Sequence, residues 1–479
     1  LYRPVKPDDE SGVDEQAVAD AVEDVLSPRN PTGDVLVFLP GEREIRDCLR
    51  TLRARSVLDL DILPLYSRLT NSEQDRIFRS SDKRRVILAT NVAETSLTVP
   101  GIRYVVDTGL SRQSRYDPRT RVQRLPIAVI SQASADQRAG RCGRIGPGIC
   151  VRLYSRSQYD QWPKFSPPEV LRTNLASVIL QMKSLGLGPI EEFPFVDPPS
   201  SALIHDGYQT LHELSAIDAP NASGNLTGVG LRLAKLPVDP RIGRMILAAE
   251  DEGCVREVVV LAAALSIQDP RDRPMSRQRD ADTAHLVFWN EHSDFLVLLS
   301  IWDQYRAAAD SLGHTALHQW CRDRFINAAR MREWTEVERQ LRGLVLDGED
   351  EDGADAAEEP EHEEPRTELK RPLTDRIHRA LMTGLLSNVC CRDEGGPFEY
   401  QGSRGNRVSI FPGSVLFRKG PKWMMAAELV QTTKLFARTC AKVDPAWIEE
   451  LASHVMQRIL GDPHFDRETG AAMVWERLT

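Results

Sequence analysis

A basic stripe between Gln137 and Arg144 carries the clearest chemical signature in this 479-residue chain. Its sequence is Gln-Arg-Ala-Gly-Arg-Cys-Gly-Arg, so Arg141 lies four residues after Gln137 and Arg144 three further on. On a helix this spacing places all three side chains on one face, and the glycines let a partner approach that face closely. Guanidinium groups offer several rigid donors to phosphate oxygens, so the stripe predicts contacts to a phosphoryl group in transfer. The alternative interpretation is a basic surface helix.

The polar segment Thr90–Ile102 comes directly after an apolar run and is rich in hydroxyl and amide side chains. It leads into the mainly apolar segment Tyr104–Gly109. Short polar side chains at the end of a strand can bond phosphate and ribose oxygens without reading the base sequence. The segment therefore predicts contacts to a nucleic-acid backbone.

Cations and aromatic residues are interleaved nearer the C-terminus, in a set made up of Arg404, Arg407, Phe411, Lys419, Lys422 and Trp423. This mixture suits single-stranded nucleic acid, because bases stack on the rings while the cations follow the phosphates. For Phe411 and Trp423, packing in a hydrophobic core is an equally good interpretation.

The elements that position these residues begin with an α/β pattern. Short apolar runs, typical of buried parallel strands, occur at Asp34–Leu39, Asp61–Leu65, Arg85–Ala89 and Arg103–Val106. Segments of helical composition lie between them at Glu42–Ala54 and Ser72–Phe78. Strands that alternate with helices build a parallel sheet, and ligands bind at the carboxyl ends of its strands.

The following part of the chain is mainly helical. Apolar residues keep helical spacing at Pro167–Gly186, Ala202–Leu214, Met245–Leu265, His285–Tyr305 and Leu317–Leu346. Glu399–Trp423 then alternates short β-like runs with Gly and Pro turns, which predicts a small barrel followed by a final helical stretch.

The negative charge is concentrated in one run, because Asp347–Glu364 holds eleven acidic residues and no Lys or Arg. Such a run cannot bury enough apolar surface to order itself, so it predicts a disordered linker. Without it the formal charge changes from −9 to +2, and the remaining basic clusters suit phosphate-binding surfaces.

Composition limits the other classes of function. Hydrophobic residues make up 41% and charged residues 27%, as in globular proteins, and no apolar run reaches the roughly 20 residues of a membrane span. The eight cysteines form no CxxC pair, so we expect neither a zinc site nor a disulfide framework. A reducing compartment and the absence of a metal site are the resulting predictions.

Four motifs, by their order and spacing, resemble the second RecA-like domain of the DEAH-box helicases of superfamily 2. These motifs are Val35–Gly41, Leu63–Ser67, Thr90–Gly109 and Gln137–Arg144. Segments that look like the family's winged-helix region are Pro168–Leu175 and Phe195–Pro199. Two further segments look like the start of its helical ratchet domain, namely Leu226–Gly228 and Leu236–Pro240. Three segments look like the OB-fold of its bacterial HrpA branch, namely Asp375–Leu385, Ser409–Ser414 and Lys422–Glu428.

The resemblance implies a multidomain α/β plus α protein. The expected parts are a RecA-like parallel α/β domain (1–157), a winged helix (158–225), a helical ratchet-like bundle (226–346), the acidic disordered linker (347–372) and an OB-fold-like β-barrel with a C-terminal helical extension (373–479).

The same resemblance implies roles for individual residues. Contacts to the ATP phosphates are expected from Gln137, Arg141 and Arg144, the two arginines acting as arginine fingers. Phe78 matches the aromatic residue that stacks on adenine, although a core phenylalanine is the alternative. The family's positions near the RNA backbone and the ATP site correspond in this chain to Thr90, Asn91 and Thr95.

Further RNA contacts are expected from two regions. The segment Ser111–Ile130 resembles the β-hairpin that separates strands in this family, and its Arg112 and Arg115 are candidates for phosphate contacts. A solvated hairpin face is the alternative there. In the OB-like part the candidates are Arg404 and Lys422.

The sequence contains no Gly-Lys dipeptide and no DExH spacing, which this class of ATPase uses to hold phosphates and Mg²⁺. We therefore expect the downstream part of a helicase whose first RecA-like domain, with the Mg²⁺ ligands, is not in this chain. The family implies ATP-dependent 3′-to-5′ movement on single-stranded RNA. It also implies a cytoplasmic monomer, with work on RNA or ribosomes. This chain alone should not hydrolyse ATP.

Two other hypotheses remain open. One is a non-catalytic RNA- or ribosome-binding scaffold derived from a helicase, although such a scaffold has no need of fingers aimed at a γ-phosphate. The other is a DNA helicase of the same superfamily.

Overall fold

The chain forms two compact units, the first of residues 1–115 and 124–172, the second of residues 116–123 and 173–479. The computed structural model describes residues 1–5, 12–55, 60–67, 69, 71–79, 81–95, 99–144, 146–274, 277–351, 371–393, 399–417, 419–432, 434–456, 458–466 and 471–478.

The elements up to residue 172 are, in chain order, α1 (Glu15–Leu26), β1 (Asp34–Phe38), α2 (Glu42–Ala54), β2 (Leu60–Leu65), α3 (Asn71–Asp75), β3 (Arg84–Ala89), α4 (Val92–Thr95), β4 (Ile102–Asp107), β5 (Leu110–Arg112), β6 (Arg115–Asp117), β7 (Val122–Arg124), β8 (Ile127–Val129), α5 (Gln132–Ala139), β9 (Ile149–Arg152) and α6 (Arg156–Gln161).

The first unit is built on a parallel sheet with the strand order β2-β3-β1-β4-β9. The central strands β3, β1 and β4 are mainly apolar because most of their residues are buried on both faces, whereas the edge strands β2 and β9 are mostly half-buried. Along β1, Val35 and Val37 pack with α1 and α2, whereas Leu36 and Phe38 face a second cluster that contains Cys142. The four predicted strands are confirmed, while α1 and β9 are elements that the sequence pattern did not predict.

A β-hairpin leaves the carboxyl edge of this sheet, as expected for Ser111–Ile130. Its base pairs β5 with β8 in antiparallel register, Leu110 opposite Val129 and Arg112 opposite Ile127. Its outer part, β6 and β7, continues the seven-stranded arrangement of the second unit, where β7 neighbours a barrel strand.

The elements of the second unit that follow residue 172 are α7 (Ala176–Ser184), α8 (Ser201–Glu213), α9 (Gly228–Lys235), α10 (Pro240–Asp251), α11 (Val255–Ser266), α12 (Gln278–His285), α13 (Asp294–Ser311), α14 (His314–Asp323), α15 (Ala328–Glu351), α16 (Leu373–Thr383), β10 (Val389–Arg392), β11 (Glu399–Gly402), β12 (Arg407–Ile410), β13 (Trp423–Gln431), β14 (Leu435–Lys442), α17 (Pro445–Leu451), β15 (Arg458–Asp466) and β16 (Ala471–Leu478).

Five of these strands close into a barrel. The order is β10-β11-β12-β14-β13, and β13 pairs back to β10, so the barrel has no open seam. The pair β12–β14 is parallel and the other pairs are antiparallel. This closed five-stranded barrel confirms the predicted OB-fold.

A buried carboxylate joins the barrel to the helical part. Asp294, in the first turn of α13, accepts hydrogen bonds from the Ser414 hydroxyl (2.6 Å) and from the backbone N–H groups of Val415 (2.9 Å) and Cys440 (2.8 Å). Burial raises the pKa of Asp294, and the three hydrogen bonds partly offset this rise.

The helical predictions hold in outline and differ in detail. The segment Met245–Leu265 is two helices, because Gly253 adopts φ +61° and ends α10. The predicted helix Ser72–Phe78 is shorter, since α3 ends at Asp75 and residues 76–78 form a turn. Within Pro167–Gly186, only Ala176–Ser184 is α-helical.

The C-terminal end also differs from the prediction. The helical extension was wrong beyond α17, because β15 and β16 form an antiparallel hairpin there. Its register shifts between Leu460 and Pro463, which is how a strand accommodates a proline. Helix α15 runs to Glu351, into the start of the acidic run, and residues 352–370 lie outside the described part of the chain. Among the described residues, no helix has the length and apolar character that crossing a membrane requires.

Candidate functional site

The carboxyl ends of the parallel strands gather most of the predicted site residues of the first unit. Thr90 follows β3 and its N–H donates to the Leu65 carbonyl at the end of β2 (3.0 Å). The short helix α4 begins two residues later, and its N–H groups at Ala93 and Glu94 donate to the carbonyls of Thr90 (3.2 Å) and Asn91 (2.9 Å). Parallel strands end at one edge of a sheet, so this polar segment lies where ligands bind in α/β proteins.

The stripe Gln137–Arg144 is not one regular α-helix. Helix α5 begins at the N-cap Ser131, ends at Ala139, and continues as a 3₁₀ helix over Gly140–Gly143. A 3₁₀ helix has three residues per turn, which keeps Arg141 and Arg144 on one side. A Cβ added at Gly140 or Gly143 would meet no described atom within 4 Å, so the surface between the arginines is open.

The structure brings Arg141 and Arg144 together. Arg141 is largely buried and donates from Nη2 to the Glu94 carbonyl, whereas Gln137 and Arg144 are exposed. Burial, and next the proximity of Arg144, lower the pKa of Arg141, while Glu94 acts in the opposite direction. Two guanidinium groups that repel each other beside an open surface form a suitable site for a polyanion such as a phosphate chain.

Phe78 lies in the turn after α3 rather than at the end of a helix, with its backbone N–H donating to the Asp75 carbonyl (3.1 Å). Its side chain is 45% exposed, so it is not a core phenylalanine. Stacking on adenine stays a prediction. Asn91 and Thr95 are exposed and Thr90 is half-buried, while residues 96–98 lie outside the described chain.

A buried network that the sequence did not reveal centres on Arg138. Its side chain has no exposed surface and lies between the carboxylates of Glu94 and Asp107. In the sequence Arg138 is one more arginine of the basic stripe. The first available signal of its burial was that it directly follows Gln137, so on a helix its side chain points to a different face. The acid in Val105-Val106-Asp107, at the end of a buried strand, was the second available signal.

The two hairpin arginines differ in their surroundings. Arg112 donates to the Leu125 carbonyl (3.3 Å) and to the Glu44 carboxylate (3.3 Å), and is half-buried. Arg115 is exposed and donates to the Gln113 side chain (3.3 Å). Both stay predicted RNA contacts, and Arg115 is the more accessible.

In the second unit, Arg404 contacts the tip of the hairpin. Its guanidinium donates to the carbonyls of Pro118 (3.0 Å) and Arg119 (3.3 Å) and lies 3.7 Å from the Asp206 carboxylate. These contacts give Arg404 a structural role that the sequence did not predict. Lys422 is exposed beside the half-buried Trp423. Phe411 packs edge-on to Phe436, with Arg438 stacked over its ring at 4.8 Å.

The tip itself, residues 116–123, is held by buried charges. Arg121 pairs with Asp206 (2.7 Å) and Glu213, and these three side chains are at most 12% exposed. Asp206 also accepts from the Tyr116 hydroxyl (2.6 Å) and the Asn174 amide (2.9 Å). Burial lowers the pKa of Arg121, but Glu213 and Asp206 outweigh it and the net pKa is raised.

Three family models match the chain in the order of these parts. They are the helicase conserved C-terminal domain over residues 17–146, the ratchet-like helicase associated domain (HA2) over 239–338, and the oligonucleotide/oligosaccharide-binding (OB)-fold over 377–455. ATP-dependent RNA helicase HrpA of Escherichia coli is 48% identical over 100% of this chain, and its Haemophilus influenzae homolog is 44% identical over the same share.

The chain belongs to the DEAH-box helicase family. The match extends to a eukaryotic member, the pre-mRNA-splicing factor ATP-dependent RNA helicase prp22 of Schizosaccharomyces pombe, which is 36% identical over 88% of this chain. The crystal structure of the E. coli DExH-box NTPase HrpB superposes with a TM-score of 0.67 at 25% identity, over 100% of this chain and 50% of that one. The chain spans only 36% of the length of the two HrpA relatives, and 35% of prp22.

Family membership makes ATP the ligand to test against the site. Exposed Gln137 and Arg144, together with Arg141 beside them, fit the phosphates of a nucleotide. For Mg²⁺ the described residues offer no group of three or more His, Cys, Asp or Glu side chains placed to hold a metal ion. The winged-helix assignment and the predicted domain boundaries stay predictions.

Proposed function

We propose that this chain is the C-terminal part of an ATP-dependent RNA helicase that couples ATP hydrolysis to 3′-to-5′ movement on single-stranded RNA. The observation that carries the proposal is the packing of the polar segment Thr90–Thr95 against the basic stripe. Glu94, in the first segment, accepts hydrogen bonds from Arg138 and Arg141 of the stripe, and also from Ser134 earlier in α5. A segment suited to nucleic-acid backbone therefore contacts directly a segment suited to phosphoryl groups.

In this proposal Gln137, Arg141 and Arg144 hold the phosphates of ATP, and Phe78 stacks on the adenine. Arginine fingers stabilise the charge that spreads over the transferring phosphoryl group and contribute about 10³ to 10⁵ in turnover. Bound Mg²⁺ would neutralise charge between the phosphates. Because the sequence has no Gly-Lys dipeptide and no DExH spacing, the residues that hold Mg²⁺ and the attacking water belong to another domain.

RNA contacts are assigned to two regions. Thr90, Asn91 and Thr95, with the hairpin residues Arg112 and Arg115, contact the sugar-phosphate backbone at the sheet edge. In the barrel unit Lys422 contributes a cation beside the half-buried ring of Trp423, which is the combination that single strands bind. Arg404 is kept as a candidate, although its guanidinium already holds the hairpin tip.

ATP turnover tests the proposal. The full-length protein should hydrolyse ATP faster with single-stranded RNA, and Arg144→Ala should reduce turnover by about 10³-fold or more. Arg43→Ala is the matched control, because Arg43 is an exposed arginine of the same unit, on α2, and its loss should leave turnover unchanged. The present chain alone should show no turnover.

Three outcomes would contradict parts of the proposal. Folded full-length protein that binds RNA but never hydrolyses ATP would favour the RNA- or ribosome-binding scaffold. Faster unwinding of duplexes with a 5′ tail than with a 3′ tail would reverse the assigned direction. Equal affinity for RNA and DNA of one sequence at one salt concentration would remove the RNA preference.

A further inference from the structure

Arg138 is a fully buried charged residue of the first unit and belongs to no predicted contact. Its Nη1 donates to Asp107 Oδ1 (2.8 Å) and to the Leu110 carbonyl (3.2 Å), and its Nε donates to Glu94 Oε2 (3.0 Å). Its guanidinium also lies 4.8 Å from the centre of the Phe38 ring. One side chain thus contacts the ends of β1 and β4, the short helix α4 and the start of the hairpin.

The two carboxylates that Arg138 joins are themselves bonded to functional segments. Glu94 accepts from the Ser134 hydroxyl on α5, and its carbonyl accepts from Arg141. Asp107 accepts from the Tyr154 hydroxyl (2.9 Å) and from the Gly109 N–H (3.0 Å) at the base of the hairpin. A movement of α4 therefore cannot leave both Arg138 and Arg141 in place.

The network has one unused donor. Nη2 of Arg138 is buried and has no hydrogen-bond partner among the described residues. A guanidinium between two carboxylates can bind either of them through two parallel bonds, and such a bidentate pair would use this donor. A switch between two states requires an element with two discrete arrangements. Here they would be the Arg138 guanidinium closer to Glu94 and the same group closer to Asp107.

We propose that Arg138 is a positioning residue that transmits RNA binding at Thr90–Thr95 to the placement of Arg141, without touching RNA or ATP itself. The inference rests on the proposed function, since it concerns the coupling of the two ligands. Arg138→Lys keeps the positive charge but removes the planar guanidinium with its paired donors. The substitution should therefore weaken the effect of RNA on ATP turnover while the binding of RNA and the binding of ATP stay nearly unchanged.

The test uses Arg138→Lys in the full-length protein, with kcat and KM for ATP measured with and without saturating single-stranded RNA. We expect the RNA stimulation of kcat to fall at least tenfold, while unstimulated kcat, KM for ATP and Kd for RNA change less than threefold. A structural defect alone would lower all activities together with the thermal midpoint.

Two milder variants keep the test decisive if Arg138→Lys does not fold. Ser134→Ala and Tyr154→Phe each remove one hydroxyl from the network and should reduce RNA stimulation by about two- to fivefold. Tyr159→Phe is the matched control, because the Tyr159 hydroxyl donates to Asp136 (2.8 Å) outside the network. Its RNA stimulation should equal that of the wild type.

The outcomes separate this inference from the function on which it rests. A wild-type protein without RNA-stimulated turnover overturns the proposed function. A stimulated wild type with equal stimulation in the Arg138→Lys, Ser134→Ala and Tyr154→Phe variants overturns the positioning role alone. Loss of RNA affinity by more than tenfold in Arg138→Lys would also overturn it, because it would make Arg138 part of the RNA site.

Discussion

Replacing Arg121 by Met should destabilise the second unit by about 3 kcal/mol. Arg121 is buried and pairs with Asp206 at 2.7 Å and with Glu213. Removing one partner of a buried ion pair costs about 3–5 kcal/mol, because a charge is left without compensation. Here Tyr116 and Asn174 still donate to Asp206, which places the loss at the lower end of that range.

The assay is urea unfolding followed by tryptophan fluorescence. Of the eight tryptophans only Trp162 belongs to the first unit, so the signal reports mainly on the second. Met retains an unbranched apolar stem like that of Arg and meets the same backbone requirement at φ +54°, so the substitution mainly removes the charged guanidinium. Arg119→Met, an exposed arginine two residues away, should change the free energy of unfolding by less than about 0.5 kcal/mol.

A double-mutant cycle adds a second measurement. Combining Arg121→Met with Asp206→Asn removes both charges, and we expect a coupling free energy of about 2 kcal/mol between the two positions. A loss below about 1 kcal/mol for Arg121→Met, or a coupling near zero, would refute the argument that buried charge holds the hairpin tip.

Three other substitutions test the fold. Burial, with a smaller effect of a neighbouring histidine, lowers the pKa of His378 to about 4, and its ring lies 2.8 Å from the Ser293 hydroxyl. The neutral ring therefore stabilises the fold above pH 6.5, and up to about 3 kcal/mol should be lost as the pH falls from 6.5 to 4. His378→Gln should flatten that part of the urea-midpoint profile, and an unchanged profile would contradict it. Gly101→Ala should destabilise β1 by about 2 kcal/mol, measured from the hydrogen exchange of its backbone amides. The reason is that Gly101 has φ +86° and that an added Cβ would lie 2.6 Å from Asp34 Oδ2. Exchange rates equal to those of the wild type would contradict this expectation. Asp294→Ala should cost about 3 kcal/mol or more in urea unfolding, because three buried donors lose their acceptor, and a loss under 1 kcal/mol would contradict this.

Local sequence patterns were sufficient for the parallel strands and for the barrel. Runs such as Arg85–Ala89 are apolar because both faces of the sheet are covered, and that property is visible without knowing the partners. The stripe from Gln137 to Arg144 was predictable for a similar reason, since its spacing is local. Its change to a 3₁₀ helix after Ala139 was not predicted, nor was the hydrogen bond from Arg141 to the Glu94 carbonyl, which joins segments 47 residues apart.

Contacts between distant segments could not be predicted. Nothing near Arg404 in the sequence shows that its guanidinium reaches carbonyls 285 and 286 residues away. Arg138 and Arg141 are both arginines of one stripe, yet the first is fully buried because Asp107 and Glu94 happen to flank it. The C-terminal hairpin was missed because Gly461-Asp462-Pro463 indicates a turn, whereas the structure places these residues within β15.

The hairpin tip makes the two units poor independent modules. The backbone passes between them three times, after residues 115, 123 and 172, so no single cut separates them. A version expressed from residue 173 onward would lack β7 beside the barrel and would leave Asp206 without Arg121 and Tyr116. Exchange of such units between relatives therefore requires transplanting residues 116–123 together with the domain to which they dock, and a chimera joined only at residue 172 should express poorly.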